Sequence, residues 1–129
     1  MADTEKITIN VSVVDLGRAD LLVEQGFYSN RTDFIRTSIR NQLNTHAHDI
    51  SEAVNRRAIA IGVLFYNNKD LEERIAKNQR LDIRVVGMLV LHEDVKPEIA
   101  EQAINSLHVF GVFRANKAVK KILEAKQQS

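Results

Sequence analysis

Lys6-Ile7-Thr8-Ile9-Asn10-Val11-Ser12, running straight into two amphipathic segments that meet at Gly26-Phe27-Tyr28-Ser29, decides the fold of the first third of the chain. Ile7, Ile9 and Val11 fall on one face of a period-two strand, and Lys6, Thr8 and Asn10 fall on the other. A lone seven-residue strand has an unpaired backbone edge and an open apolar face, so it needs a second copy of itself. The sequence therefore predicts an obligate dimer. Lys, Thr and Asn are also side chains that read base edges in a DNA major groove, which admits a two-stranded ribbon. A solvated edge strand would show the same alternation.

The residues after the strand favour a DNA-reading ribbon. Ser12 suits an N-cap, with Asp15 in the first turn, and Leu16, Ala19, Leu22 and Val23 recur at helical spacing until Gly26. Ser29 or Asn30 suits the cap of a second helix that carries Phe34, Ile35, Ile39 and Leu43 on one stripe. Arg31, Arg36 and Arg40 lie off that stripe, and Asp33 stands near the positive end of the dipole. The backbone N–H groups opening such a helix form an anion site suited to a DNA phosphate.

Residues 5–44 resemble the ribbon-helix-helix DNA-binding proteins of the Arc/MetJ/CopG type. The run that carries the likeness is Leu22-Val23-Glu24-Gln25-Gly26-Phe27-Tyr28-Ser29-Asn30-Arg31-Thr32-Asp33-Phe34-Ile35-Arg36. The resemblance implies that Lys6, Thr8 and Asn10 contact bases and that Ser29, Asn30 and Arg31 clamp phosphates. It also implies that Ile7, Ile9, Val11, Leu16, Val23, Phe34, Ile35 and Ile39 form the core of an intertwined dimer. The expected partner is double-stranded DNA. Residues 1–44 carry five basic side chains (Lys6, Arg18, Arg31, Arg36, Arg40) against six acidic ones (Asp3, Glu5, Asp15, Asp20, Glu24, Asp33). Bulk attraction to a polyanion is thus small, and affinity must come from locally placed cations, direct readout and repeated half-sites.

The connector is read as residues 45–57. Leu43, Ala47, Ile50 and Val54 keep near-helical spacing across it, so either the second helix continues towards Arg57 or it breaks at Asn44-Thr45. Residues 58–129 change period. Ala58–Tyr66 and Ile83–Leu91 read as buried strands, with a helix between them that Asn67-Asn68 can cap and that runs to Gln79. Pro97 opens a helix bearing Ile99, Ala103, Ile104 and Leu107. His108–Arg114 then reads as a third strand, and Asn116–Lys126 as a final helix. The expected class is α+β: a ribbon-helix-helix dimer over residues 1–44, then a small α/β domain.

That order looks like the nickel-responsive repressors, whose second domain is ferredoxin-like, of ACT type, and assembles tetramers. Their metal is held by His side chains on the second strand together with a Cys. Here the matching stretch offers Met88, Val90 and His92, and the chain has no Cys, so the nickel function is not carried over. No metal or cofactor is expected. His92 and His108, near strand ends, are the remaining candidate ligands, and His46 and His48 could chelate only from an extended segment. Glu93 and Asp94 beside His92 read first as a charged turn. Arg114, Lys117, Lys120, Lys121 and Lys126 read equally as a solvated helix face or a second basic surface.

The whole chain, 129 residues at net charge +1 with 44% hydrophobic and 27% charged side chains, falls in the soluble globular class. Without Cys there is no disulfide or thiolate site, no apolar run reaches membrane-spanning length, and the N-terminus is not signal-like, so the cytoplasm is expected. A Gly-rich phosphate loop, an elbow serine and a cysteine nucleophile are all missing, so no enzyme is expected. Gly62, Gly87 and Gly111 in mid-strand point to close backbone packing, with room for a small effector or a subunit contact. The functional expectation is a dimeric or tetrameric transcriptional regulator acting as a repressor. The alternative is an antitoxin or plasmid-maintenance factor whose C-terminal half binds a protein partner.

Overall fold

A computed structural model describes residues 4–127; the expected bounds at residues 1–3 and 128–129 lie outside it. The chain divides into two compact units, Met1–Ala53 and Val54–Ser129. The division falls inside the segment read as connector.

The first unit holds α1 (Val13–Glu24), α2 (Arg31–Thr45) and most of α3 (Ala47–Arg56), preceded by residues 4–12, which form no strand or helix within the chain. Ser12 caps α1 by accepting from the Asp15 N–H, and Gly26 at φ +87° ends it. Beyond the cap, the Phe27 N–H donates to the Leu22 carbonyl and the Gly26 N–H to the Val23 carbonyl, the paired Schellman bonds that satisfy a helix end. Neither expectation for the second helix holds as stated. It breaks at His46, one residue beyond Asn44-Thr45, and α3 starts immediately afterwards. Thr45 donates to the Asn41 carbonyl just before the break, a side-chain bond that competes with the backbone ladder.

The second unit is built on three strands, β1 (Ala60–Tyr66), β2 (Leu81–Leu91) and β3 (Ile104–Arg114), in the order β1-β2-β3 and all parallel. Helices α4 (Asn68–Ala76) and α5 (Pro97–Ala103) make the crossovers, and α6 (Lys117–Leu123) closes the chain with a short 3-10 turn over Glu124–Lys126. Crossovers of one hand in consecutive strand order lay their helices on one face of a sheet. Accordingly α4 packs on α5 and α5 on α6. Leu71 of α4, Ala100 and Ala103 of α5, and Val119 and Leu123 of α6 join Ile83, Val85, Leu89 and Leu91 of β2 in one core. Each large side chain fully buried there contributes roughly 1.5–3 kcal/mol by leaving water.

The ferredoxin-like expectation is corrected by this topology. That pattern runs β-α-β-β-α-β, whereas here a helix follows every strand and no strand is antiparallel among the described residues. The third strand also begins at Ile104 instead of His108, so Ile104 and Leu107 are strand residues, not part of the Pro97 helix. Two forces shift that boundary. Ile104 and Leu107 are fully buried, and Asp82 accepts from Asn105 and Ser106 at 2.9 and 2.6 Å. Those two bonds hold the Asp82 carboxyl below the usual range and fix a bulge where Asp82 pairs Ser106 directly after Leu81 pairs Ile104. The exposed end of α5 is satisfied by cations: Arg80 Nε donates to the Gln102 carbonyl at 2.9 Å, and Lys126 Nζ to the carbonyls of Glu101 and Ile104. Burial there pushes the Lys126 amine below its ordinary range.

The other boundary shifts have a common cause. Ala58 at φ +50° and Asn78 at φ +54° end α3 and α4 with the same paired bonds seen at Gly26. β1 therefore starts at Ala60 instead of Ala58, and α4 ends before Gln79. Asn67 and Asp70 cap α4 reciprocally.

Candidate nucleic-acid interface

Residues 4–12 carry no regular secondary structure and are exposed along their whole length. Ile7, at 67% exposure, Ile9 and Val11 are exposed, as are Lys6, Thr8 and Asn10 between them. The strand expected over Lys6–Ser12 is not formed within one chain, and its two sets of side chains are alike exposed. Among the proposed core residues, Leu16, Val23 and Phe34 are half-buried and Ile35 and Ile39 are exposed. Ala19 is the one buried residue described in the first unit.

Between α1 and α2 lies an apolar groove of about 250 Å³, lined by Val11, Leu16, Ala19, Leu22, Phe34 and Ile35, with Asp15, Arg18 and Arg31 at its rim. Tyr28 meets Phe34 edge-on at 5.1 Å and closes the turn between the helices. A groove of this lining takes apolar side chains.

The start of α2 is already well ordered. Asn30 caps it by accepting from the Asp33 N–H at 2.8 Å, and the Asp33 carboxylate accepts from the Ser29 N–H at 2.9 Å. The N–H groups of Arg31 and Thr32, at the first two helical positions, remain to face an anion. Arg31 itself points elsewhere. Its Nε and Nη2 donate to the two carboxylate oxygens of Asp20 on α1, at 2.7 and 2.8 Å. This two-pronged pair holds the Asp20 carboxyl below its usual range and raises Arg31 further above its own. The structure therefore brings Ser29, Asn30 and Arg31 to one helix start, but Arg31 is bound to an acid that sequence reasoning missed. Asp20 lies eleven residues before Arg31, and no local spacing links them.

The histidines do not converge. His46 sits at the turn between α2 and α3 and His48 in the first turn of α3, beside Asp49 and Glu52, so the extended geometry that chelation needs is lacking. His108 pairs with Arg84 on β2, eight residues before His92, which at the rise of a strand separates the two by roughly 25 Å. The two remaining candidate ligands therefore cannot share one ion. Arg57 donates to His108 Nδ1 at 3.0 Å. Because a guanidinium only donates, that nitrogen accepts and the ring proton sits on Nε2. His92 accepts from the Asp94 N–H at 3.2 Å, and Asp94 in turn accepts from the Asn68 N–H. Glu93 and Asp94 thus belong to the turn that ties β2 to α4. No group of three metal-ligating side chains occurs among the described residues, and no helix described is long and apolar enough to cross a membrane. Of the C-terminal cations, Lys126 is folded onto the α5 end and Lys120 lies over the Phe113 ring at 5.8 Å.

Residues 2–120 match the Ribbon-Helix-Helix transcriptional regulator family. No curated protein and no solved structure matches the chain.

Proposed function

The chain belongs to the ribbon-helix-helix transcriptional regulator family, and on that premise we propose that it is a repressor whose paired residues 6–12 read an operator through the major groove. The observation that carries this reading is the open alternation of Ile7, Ile9 and Val11 with Lys6, Thr8 and Asn10 in a unit that buries little beyond Ala19. A second copy supplies what that unit lacks. Pairing the two strands antiparallel turns the three apolar side chains onto the helices and leaves Lys6, Thr8 and Asn10 on the groove side. The apolar groove then receives side chains from the partner as part of an intertwined core.

At the helix starts, the N–H groups of Arg31 and Thr32, with the Ser29-Asn30 cap, receive a phosphate. Arg31 joins only by exchanging Asp20 for that phosphate, which makes Asp20 a brake on non-specific binding. The second unit assembles dimers, and cooperation between dimers offsets the low charge of the reading unit. The antitoxin alternative draws less support, because residues 54–127 carry a core of their own and antitoxin tails of the expected kind fold only on their partner.

Selection of bound sequences from a random DNA pool by the purified protein, at near-physiological salt, tests the reading. A short inverted or tandem motif is expected. Thr8→Ala and Asn10→Ala each cost roughly 1–3 kcal/mol in operator affinity while the protein stays folded and oligomeric. Unchanged operator preference in the double variant sinks the strand as reader.

A further inference from the structure

All three helices of the second unit cover one face of its sheet, and the other face is apolar. Ile61, Val63 and Phe65 of β1 point to that side while Leu64 and Tyr66 pack on the core. The register sets Ile61 beside Val86 and Phe110, and Val63 beside Met88 and Val112, in two apolar rows that cross all three strands. Ile61 is 69% exposed, Phe65 53%, Val63 46% and Phe110 39%. Given what side chains of this size bury when enclosed, these four and their half-buried neighbours leave a patch on the order of 500 Å².

We propose that this face packs against the same face of a second copy of the chain, sheet on sheet, resting on the oligomer proposed above. The area argues for that occupant. Two such patches remove about 1,000 Å² from water, the lower bound for a specific interface. A contact of that size holds free molecules weakly and joins copies that ribbon pairing has already concentrated. A flat sheet face is matched in shape by another flat sheet face at a spacing near 10 Å. Stacking on nucleic-acid bases is disfavoured by the contacts that the two aromatics of the face already make: Phe110 is stacked on His108 at 4.3 Å with the Arg57 guanidinium 5.4 Å from its ring centre, and Phe65 meets His92 edge-on at 6.0 Å. Arg84, at the same end, donates to the Arg57 carbonyl, leaving the centre of the face free of charge.

The natural chain has no Cys, so Val63→Cys in the full-length protein gives a unique thiol on the face and Lys121→Cys a control on the helix layer. With a short bismaleimide, the Val63 thiol is expected to form covalent pairs at least tenfold faster than the Lys121 thiol, and a second substitution, Ile61→Asp, to abolish that advantage with the circular dichroism unchanged. Equal rates at the two positions, or pairing that survives Ile61→Asp, overturn the proposal. Sedimentation of the same samples separates the two levels of assembly. A particle of two or more chains without pairing at position 63 overturns the sheet contact and leaves the ribbon standing; a single chain overturns both.

Discussion

Asp20 and Arg31 form the ion pair that, in the function proposed above, sets the terms of DNA binding. Both are largely exposed, so the pair adds little to stability, and in the proposed reading its weight lies in what it withholds from a phosphate. Asp20→Asn is expected to tighten binding to arbitrary duplex DNA and to steepen its salt dependence by about one ion, as read from affinities across a salt series. Weaker binding instead assigns Asp20 to holding Arg31 in its binding pose. The sign of the acid response comes from the same pair. Its folded carboxyl lies below the unfolded value, so its stabilisation is complete above the ordinary carboxylate range and fades as pH falls through the lowered value. Carboxyl titration by NMR should show Asp20 moving up to the ordinary range in Arg31→Ala. None of this is legible in the sequence, because the pair joins two helices through a turn whose angle no spacing encodes.

Among the elements, the glycine rung of the sheet is the most constrained feature. Gly62, Gly87 and Gly111 stand side by side across the three strands at φ +138°, +137° and +126°. A Cβ on Gly87 would lie 2.1 Å from the Gly62 carbonyl oxygen, and one on Gly111 2.1 Å from that of Gly87, whereas one on Gly62 would meet nothing within 4 Å. Gly87→Ala and Gly111→Ala should therefore cost several kcal/mol or prevent folding, and Gly62→Ala only about 1–2 kcal/mol of backbone strain, in urea or thermal denaturation. Equal costs at the three positions would refute the rung as a steric device. Sequence alone puts these glycines in mid-strand and suggests close packing, but their shared row depends on the register. Caps are legible where the chemistry is local, as at Ser12, Asn67 and Asn116, and hidden where Ala58 takes a conformation that glycine usually fills. Helical spacing misplaces the start of β3 because Ile104 and Leu107 fit it too; burial and the Asp82 bonds decide the matter, and neither is visible in one segment alone.

For the whole molecule, the two units differ in what they need. The second has its own enclosed core; the first buries Ala19 and leaves Val13 at 84% exposure. Thermal unfolding should accordingly show a transition of the first unit whose midpoint rises with protein concentration and with added operator DNA, and a second transition largely insensitive to either. Calorimetry over a wide range of protein concentration checks this, and two concentration-independent transitions would exclude a first unit that folds by association. The alternation in residues 6–12 makes this dependence legible in the sequence, since a strand without a neighbour is an incomplete structure.

The near absence of burial in the first unit has a further consequence for dosage. For the proposed dimer, the quantity of assembled reader at low concentration grows as the square of the number of chains made, so doubling synthesis quadruples the molecules able to occupy an operator. The response to the protein's own abundance is then steeper than proportional, a threshold that arises from one missing hydrophobic core.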